Sequence, residues 1–459
     1  MARVYGANRL KKIALVGFMG AGKTTAARAL GGVDSDDLIE AAAGKPISEI
    51  FRDDGEAAFR AHEEEAVVLA LGGGAVKSPR VREALGETLT VWLDVDVDTC
   101  WERVQGSDRP LAQDEVEFRR LFEERRALYA EVADVVAHDV HDVVLAAAGV
   151  RVERGALKQL GELVPGDGPT ALISDAHVAG IHGMDAQLAL GSRLAETHEL
   201  PSGEEAKTLA TLDRLWQDLR LDRRGTIVAL GGGTTTDAAG YAAAAYLRGV
   251  SWAPVPTSLV GQVDAAIGGK TGIDLPQGKN LVGAFHWPAR TIIDPALLET
   301  LPETQRREGM SEVVKTGLLA GEPFWELPDD ELVRRCAAFK AAVCLRDPLD
   351  QGERKMLNLG HTFAHALEAA AAYEGVTHGR AVALGLLAAL RLSGTDISQV
   401  EEILRPTPVK VDRERAWEAL LRDKKGALRL VLLGDDGPQW DVAVPAEDVR
   451  RELDRLIAS

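Results

Sequence analysis

Apolar positions along the chain fall into two textures. Through roughly the first two thirds, short runs of Val, Ile, Leu and Ala are each cut off by glycine: KIALVG (12–17), VVLALGGG (67–74) and TIVALGGG (226–233). An apolar run of that length, closed by glycine and followed by a helix-compatible segment, reads as a buried strand turning into a helix. Repeated in both halves, this is the unit of an α/β fold with parallel sheets. TALIS (170–174) supplies another such strand. From about Glu299 the spacing becomes helical: LETLPETQRREGMSEVVKTGLLAG, CAAFKAAVCL, MLNLGHTFAHALEAAAAY and GRAVALGLLAALRLSG carry apolar residues three and four apart. Strand signals return only at LRLVLL (428–433). The pattern predicts a small α/β domain, a second α/β domain and a mostly α-helical domain. Loop chemistry between Gly155 and Gly168, ending in PGDGP, places the first boundary near Val140 to Val150.

Length agrees, since 459 residues suggest two to four domains. Charge narrows the class. The chain carries 53 basic and 71 acidic side chains, a formal net charge of −18, and a nucleic-acid or acidic-membrane binder would show the opposite excess. Three scattered cysteines, Cys100, Cys336 and Cys344, fit neither a disulfide framework nor a cysteine zinc site. The longest apolar stretch, Ala381 to Leu390, is too short to span a bilayer. No signal-peptide pattern opens the chain, so a cytoplasmic protein acting on small molecules is expected. Glycine, 46 residues in all, is clustered at the ends of the apolar runs, where chemistry is to be sought.

The first cluster, Gly17-Phe-Met-Gly20-Ala-Gly22-Lys23-Thr24, fits G-x-x-x-x-G-K-[ST] between a strand and the helical segment TTAARAL. Glycines let successive N–H groups converge on a phosphate, and the helix N-terminus adds positive potential. Lys23 would reach the outer phosphates of ATP and Thr24 would hold magnesium, with Gly17, Gly20, Gly22 and Thr25 in the same cradle. Downstream stand Asp34 and Asp36 in a D-x-D, Arg60 in GEAAFRAHE, and the turn Gly72, Gly73, Gly74. Arg109 in R-P-L and Arg125 in RRALY complete the set. With these residues the segment resembles shikimate kinase. The resemblance implies that Asp36, Arg60 and Arg125 grip the diol and carboxylate of shikimate beside Gly72, Gly73 and Gly74. It likewise implies that Arg109 sits in a lid over ATP and that Asp34 lies near magnesium. The intervals from Lys23 to Asp34 and from Arg60 to Gly72 are shorter than in that family.

The second cluster, Gly231-Gly232-Gly233-Thr-Thr-Thr-Asp237, is not the G-x-G-x-x-G dinucleotide fingerprint and alone is an ordinary strand-to-helix turn. The downstream segment VPTSLVGQVDAAIGGKTGIDLPQGKNLVGAFHWP is far more specific. From about Val150 to its end the chain resembles 3-dehydroquinate synthase. The resemblance implies an NAD site made by Asp175, Glu204, Lys207, Gly231, Gly232, Gly233, Asp237, Thr257, Ser258, Asp264 and Lys279. One carboxylate and two imidazoles suit a catalytic zinc, or cobalt, with an open position. His361 and His365, at i and i+4, could by spacing be the imidazole pair. The family pattern instead assigns the metal to Glu312, His361 and His378, and leaves His365 for the phosphate and proton transfer. Lys270 and Lys315 are implied as catalytic cations. Arg248, Asn280, Lys340, Arg354, Asn358 and Lys425 (or its neighbour Lys424) are implied as substrate contacts. Arg248 would reach a neighbouring subunit's site, which implies a homodimer. Arg380 stands where that family carries Glu after His-Gly.

The domains expected on this basis are 1–142 (a compacted P-loop kinase-like sheet domain), 143–298 (a Rossmann-like NAD-binding domain) and 299–459 (a helical metal and substrate domain). The implied reactions are conversion of 3-deoxy-D-arabino-heptulosonate 7-phosphate to 3-dehydroquinate and phosphate, with NAD⁺ regenerated in each turnover, and phosphorylation of the shikimate 3-hydroxyl by ATP. Two alternatives stay open: another sugar-phosphate cyclase, and a first domain that binds nucleotide without phosphoryl transfer.

Overall fold

The computed structural model describes residues 12–32, 70–86, 88–107, 109–372, 375–423 and 428–458. The chain divides into two compact units, Met1–Val150 and Arg151–Ser459.

In the first unit, β1 (Lys12–Gly17) leads through the glycine loop into α1 (Lys23–Ala29). α2 (Pro79–Leu85), whose cap is Ser78, precedes β2 (Thr88–Leu93). Next come α3 (Val97–Val104), α4 (Glu115–Val132), β3 (Val135–Ala137) and α5 (Val140–Ala147). The strands form a parallel sheet in the order β1-β2-β3. Of the run expected to be a strand before Gly72, the described residue Ala70 bridges Leu15 in parallel. α4 buries Phe118, Leu121, Phe122, Arg125 and Tyr129, one stripe at helical spacing. Phe18, at the end of the first strand, meets Phe118 and Phe122 edge-on at 4.9 and 5.2 Å. The glycine loop thus rests on a packed aromatic floor.

The second unit holds a four-stranded parallel sheet. Its strands are β4 (Thr170–Asp175), β5 (Leu194–Leu200), β6 (Thr226–Gly231) and β7 (Ser251–Pro256), in spatial order β5-β4-β6-β7. Alternation splits each strand between two cores. Ala171, Ile173, Ile227 and Ala229 pack with α6 (Leu209–Asp218) and α7 (Gly233–Ala245), whereas Leu172, Val228, Leu230 and Val255 pack on the opposite face. The strand order reverses between β4 and β6, so ligands are expected above Asp175 and Gly231. An antiparallel ribbon, β8 (Lys270–Leu275) with β9 (Gly278–Phe285), extends from this layer.

The helical part is as expected: α8 (Glu303–Ala320), α9 (Asp329–Arg346), α10 (His361–Ala370), α11 (His378–Ser393) and α12 (Arg413–Asp423). The strand expected at LRLVLL is β10 (Arg429–Gly434), which pairs with an unforeseen β11 (Gly437–Ala443) before α13 (Ala446–Arg455). α10 and α11 approach backbone to backbone. A Cβ on Gly385 would stand 2.1 Å from the Gly360 carbonyl oxygen, and Gly360 itself has φ of +79°. Glycine is required at both positions, because any side chain would part the two helices that carry His361 and His378. Gly385→Ala should therefore cost about 1–3 kcal/mol and lower the thermal transition of the second unit by a few degrees. An unchanged transition would show that the helices do not rely on this contact.

Candidate active sites

The metal-ligand residues expected from the sequence converge. Glu312 is on α8, His361 opens α10 and His378 opens α11, and one ligand atom from each lies within 4.8 Å of the others. His361 Nε2 and His378 Nε2 stand 3.5 and 3.3 Å from Glu312 Oε1. Glu312 is fully buried, with the Lys315 ammonium 2.5 Å from its Oε2 and the two imidazoles facing its Oε1. A buried carboxylate oxygen facing two imidazole nitrogens, all within 4.8 Å of one another, is a donor set that fits a divalent cation.

The orientation of the imidazoles is built in. His361 Nδ1 meets the Leu359 carbonyl at 3.2 Å, and His378 Nδ1 meets Glu368 Oε1 at 3.4 Å. In both rings Nε2 is thereby left toward Glu312, the arrangement typical of a ligated histidine. Burial alone would lower the His378 pKa, but the carboxylates of Glu312 and Glu368 outweigh it and raise it to about 10. That proton is the one a cation at Nε2 would replace. His365, one turn beyond His361, is exposed, with its ring 5.6 Å from that of His361. Glu368 was not among the sequence candidates. Its seven-residue spacing from His361 places it on the same helix face and was the available signal.

A row of alternating charges continues inward from the metal ligands. Lys315 Nζ lies 2.5 Å from Glu312 Oε2 and 3.7 Å from Asp264 Oδ1, and Lys340 Nζ lies 2.7 Å from Asp264 Oδ1. Burial would raise the Asp264 carboxyl, but Lys315 and Lys340 overcome it and bring it to about 2. Glu312 is likewise held well below its ordinary value, by Lys315 and His361 working against burial.

The remaining candidates form three smaller groups. Buried Lys207 bonds to Asp237 at 2.7 Å and to the Asn280 amide oxygen, while Lys279 pairs with Glu204 at 2.7 Å. Asp274, missed in the sequence, accepts the Asn280 backbone N–H at 2.7 Å and lies 4.0 Å from Lys207. Gly231, Gly232 and Gly233 make the β6–α7 turn, in which Thr257 N–H bonds to the Gly231 carbonyl and Gly232 adjoins Ser258. Asp175 ends β4 and accepts hydrogen bonds from His177 N, Val178 N, Ser202 and Thr235. A cavity of about 540 Å³ opens beside these strand ends, lined by Ala176, Leu200, Pro201, Thr211 and Arg214 among others, and it shares no residue with the metal cluster.

Lys270 is paired at 2.5 Å with Asp350, a residue no motif had singled out. Arg354, expected on the substrate, is 2% exposed, and its guanidinium donates to the carbonyls of Gly268 and Pro348. It braces the Gly268-Gly269 turn that presents Lys270. Asn358 is exposed beside His361, and Arg248 is exposed with a left-handed backbone, φ +68°. Lys424 and Lys425 lie outside the described residues.

In the first unit the loop glycines Gly17, Gly20 and Gly22 all have positive φ, and Lys23 Nζ folds back on the carbonyls of Gly17 and Phe18 at 2.9 and 3.0 Å. Thr24 is half-buried and Thr25 exposed at the start of α1. Arg103 of α3, missed by the motif reading, donates to the Gly20 carbonyl at 3.1 Å. Gly73 packs against the Met19 backbone and accepts the Tyr129 hydroxyl. Arg125 is buried over the Phe18 ring, 5.6 Å from its centroid. Arg109 is exposed. Asp34, Asp36 and Arg60 lie outside the described residues.

Three family models match the chain: shikimate kinase over residues 19–149, 3-dehydroquinate synthase N-terminal over 197–308 and 3-dehydroquinate synthase C-terminal over 309–426. The bifunctional shikimate kinase/3-dehydroquinate synthase of Thermotoga maritima is 34% identical over 471 residues, covering 90% of this chain and 93% of that one. The 3-dehydroquinate synthase of Bordetella pertussis is 37% identical over 67% of this chain and 95% of its own. A 2-deoxy-scyllo-inosose synthase solved with carbaglucose-6-phosphate, NAD⁺ and Co²⁺ matches with a TM-score of 0.61 and 27% identity, over 67% of this chain and 96% of that one. Among the described residues, no helix is long and apolar enough to cross a membrane.

The Asp264 pKa sets an acid limit. Its carboxyl titrates near 2 in the folded chain against an ordinary 3.8, so the unfolded chain takes up the proton more readily. Its contribution, about 2 kcal/mol, is fully present above pH of about 4 and disappears as pH falls through about 2. Asp264→Asn should flatten this limb in acid titrations of stability. It should also cost about 3 kcal/mol at neutral pH by leaving Lys340 unmatched. An unaltered acid limb would refute the charge row.

Proposed function

The chain belongs to the bifunctional shikimate kinase/3-dehydroquinate synthase family, and on that premise we propose one reaction for each of its two units. The second converts 3-deoxy-D-arabino-heptulosonate 7-phosphate to 3-dehydroquinate and phosphate. The first transfers the γ-phosphoryl group of ATP to the shikimate 3-hydroxyl with magnesium. The convergence of Glu312, His361 and His378 at the head of a cationic row carries the synthase reading.

When bound, NAD⁺ supplies a reversible hydride acceptor and the zinc or cobalt ion a Lewis acid. Glu312, His361 and His378 hold the metal, with Glu368 and the Leu359 carbonyl fixing the rings. Gly231, Gly232, Gly233 and the α7 N-terminus face the cofactor pyrophosphate. The cavity beside β4 and β5 takes the adenosine half, near Glu204, Lys207, Asp237 and Lys279. Lys315 and Lys340 draw the anionic substrate toward the metal, and Asp264 pairs with both ammonium groups. Lys270, aimed by Arg354, exchanges Asp350 for the substrate phosphate, and His365 at the mouth carries a proton to or from it. Exposed Arg248 completes the site of a second copy in a homodimer.

In the first unit the P-loop N–H groups bind the ATP phosphates, and Lys23 leaves its two carbonyls for the outer ones. Arg125 and the Gly73 turn receive shikimate. On this reading the protein acts in the cytoplasm.

One preparation tests both assignments. After a chelator is applied and removed, phosphate release should vanish and return with zinc or cobalt, while shikimate-dependent ATP turnover should need magnesium only. His361→Ala should lower phosphate release by more than about a hundredfold and spare the kinase. Lys23→Ala should do the reverse. ATP turnover indifferent to shikimate would contradict the kinase reading. Full phosphate release by His361→Ala would contradict the metal site.

A further inference from the structure

α11 starts at the metal ligand His378 without a cap of its own. Thr377 makes no side-chain capping bond, and the first turn contains no acidic residue. The third helical position is Arg380, a cation where the helix dipole favours an anion. Its guanidinium is turned away from the helix onto the Thr407 carbonyl and hydroxyl and the Pro408 carbonyl, at 3.0–3.2 Å.

The missing anion comes from α8. Glu308 Oε1 accepts the Thr377 hydroxyl at 2.6 Å, and Glu308 Oε2 accepts the Arg380 backbone N–H at 3.1 Å. One carboxylate thus ties the residue before His378 to the residue two after it. Between these contacts the backbones touch. A Cβ on Gly379 would stand 2.3 Å from the Glu308 carbonyl oxygen, so only glycine allows α11 to start this close to α8. Glu308 lies one turn before Glu312 on the same helix face. The residue that clamps the start of α11 is therefore rigidly coupled to the ligand that His378 must face at 3.3 Å.

We propose that Glu308 is a positioning residue of the metal centre: it substitutes for an absent helix cap and fixes the distance between the ligands contributed by α8 and α11. This rests on the metal reading above. Glu308 itself need not touch metal, cofactor or substrate.

Co²⁺ affinity of the full-length metal-free chain, measured by visible absorption under chelator competition, tests the proposal without any assay of activity. Glu308→Ala should weaken Co²⁺ binding about 10- to 100-fold. Glu308→Gln, of equal size and still offering one acceptor oxygen, should fall between Glu308→Ala and wild type, and it answers the question even where the alanine variant folds poorly. In a His378→Ala background, Glu308→Ala should cause no further loss, because the ligand it positions is gone. Wild-type affinity in both Glu308 variants would overturn the proposal. So would an equal loss in the presence and absence of His378, which would mark a general effect on α8. A wild-type chain that binds no Co²⁺ would overturn the metal reading and this proposal together.

Discussion

The second unit is organised around the need to keep one carboxylate charged in its interior. Glu312 is fully buried, and an isolated buried anion costs several kcal/mol even after relaxation. The structure answers with a row of alternating charges, Glu312, Lys315, Asp264 and Lys340, contributed by α8, the Gly261–Ala265 turn and α9. The four groups sum to zero, so the row is neutral until ligands arrive. A divalent cation and an anionic substrate then add charges of opposite sign. Removing any one member would leave a neighbour unmatched, and so the row fixes three elements in a single register.

Close backbone approach completes what charge begins. Gly360 against Gly385, and Gly379 against Glu308, let α10 and α11 come near enough to each other and to α8 for three ligand atoms to converge. Carboxylates then hold the result in place, Glu368 on the His378 ring and Glu308 on its backbone. The first unit obeys the same logic with a different charge. Lys23 keeps its ammonium on two loop carbonyls that a phosphate can outcompete, above the aromatic floor of Phe18, Phe118 and Phe122.

Much of this was legible in the chain. Strands ending in glycine marked both parallel sheets, because a buried strand needs an unbroken apolar run and a sharp exit. The metal ligands lay in recognisable motifs. Partners set only by tertiary approach were not legible: Asp350 on Lys270 lies 80 residues away, and Arg103 on Gly20 lies 83. Arg354 shows the limit most clearly. Its motif marked it as a site residue, but only the fold shows that its guanidinium donates to the Gly268 and Pro348 carbonyls. Spacing reveals that an arginine is present but not which way it faces. β11 was missed because GPQWDVA alternates weakly and pairs only through its hairpin with β10.

Zinc-edge anomalous diffraction from crystals of the full chain grown with zinc tests the central claim most directly. The account predicts one strong peak per chain, at about 2.0–2.2 Å from Glu312, His361 Nε2 and His378 Nε2, with Glu368 still on His378 Nδ1. A peak ligated by His365 in place of His378, or none at this cluster, would contradict it.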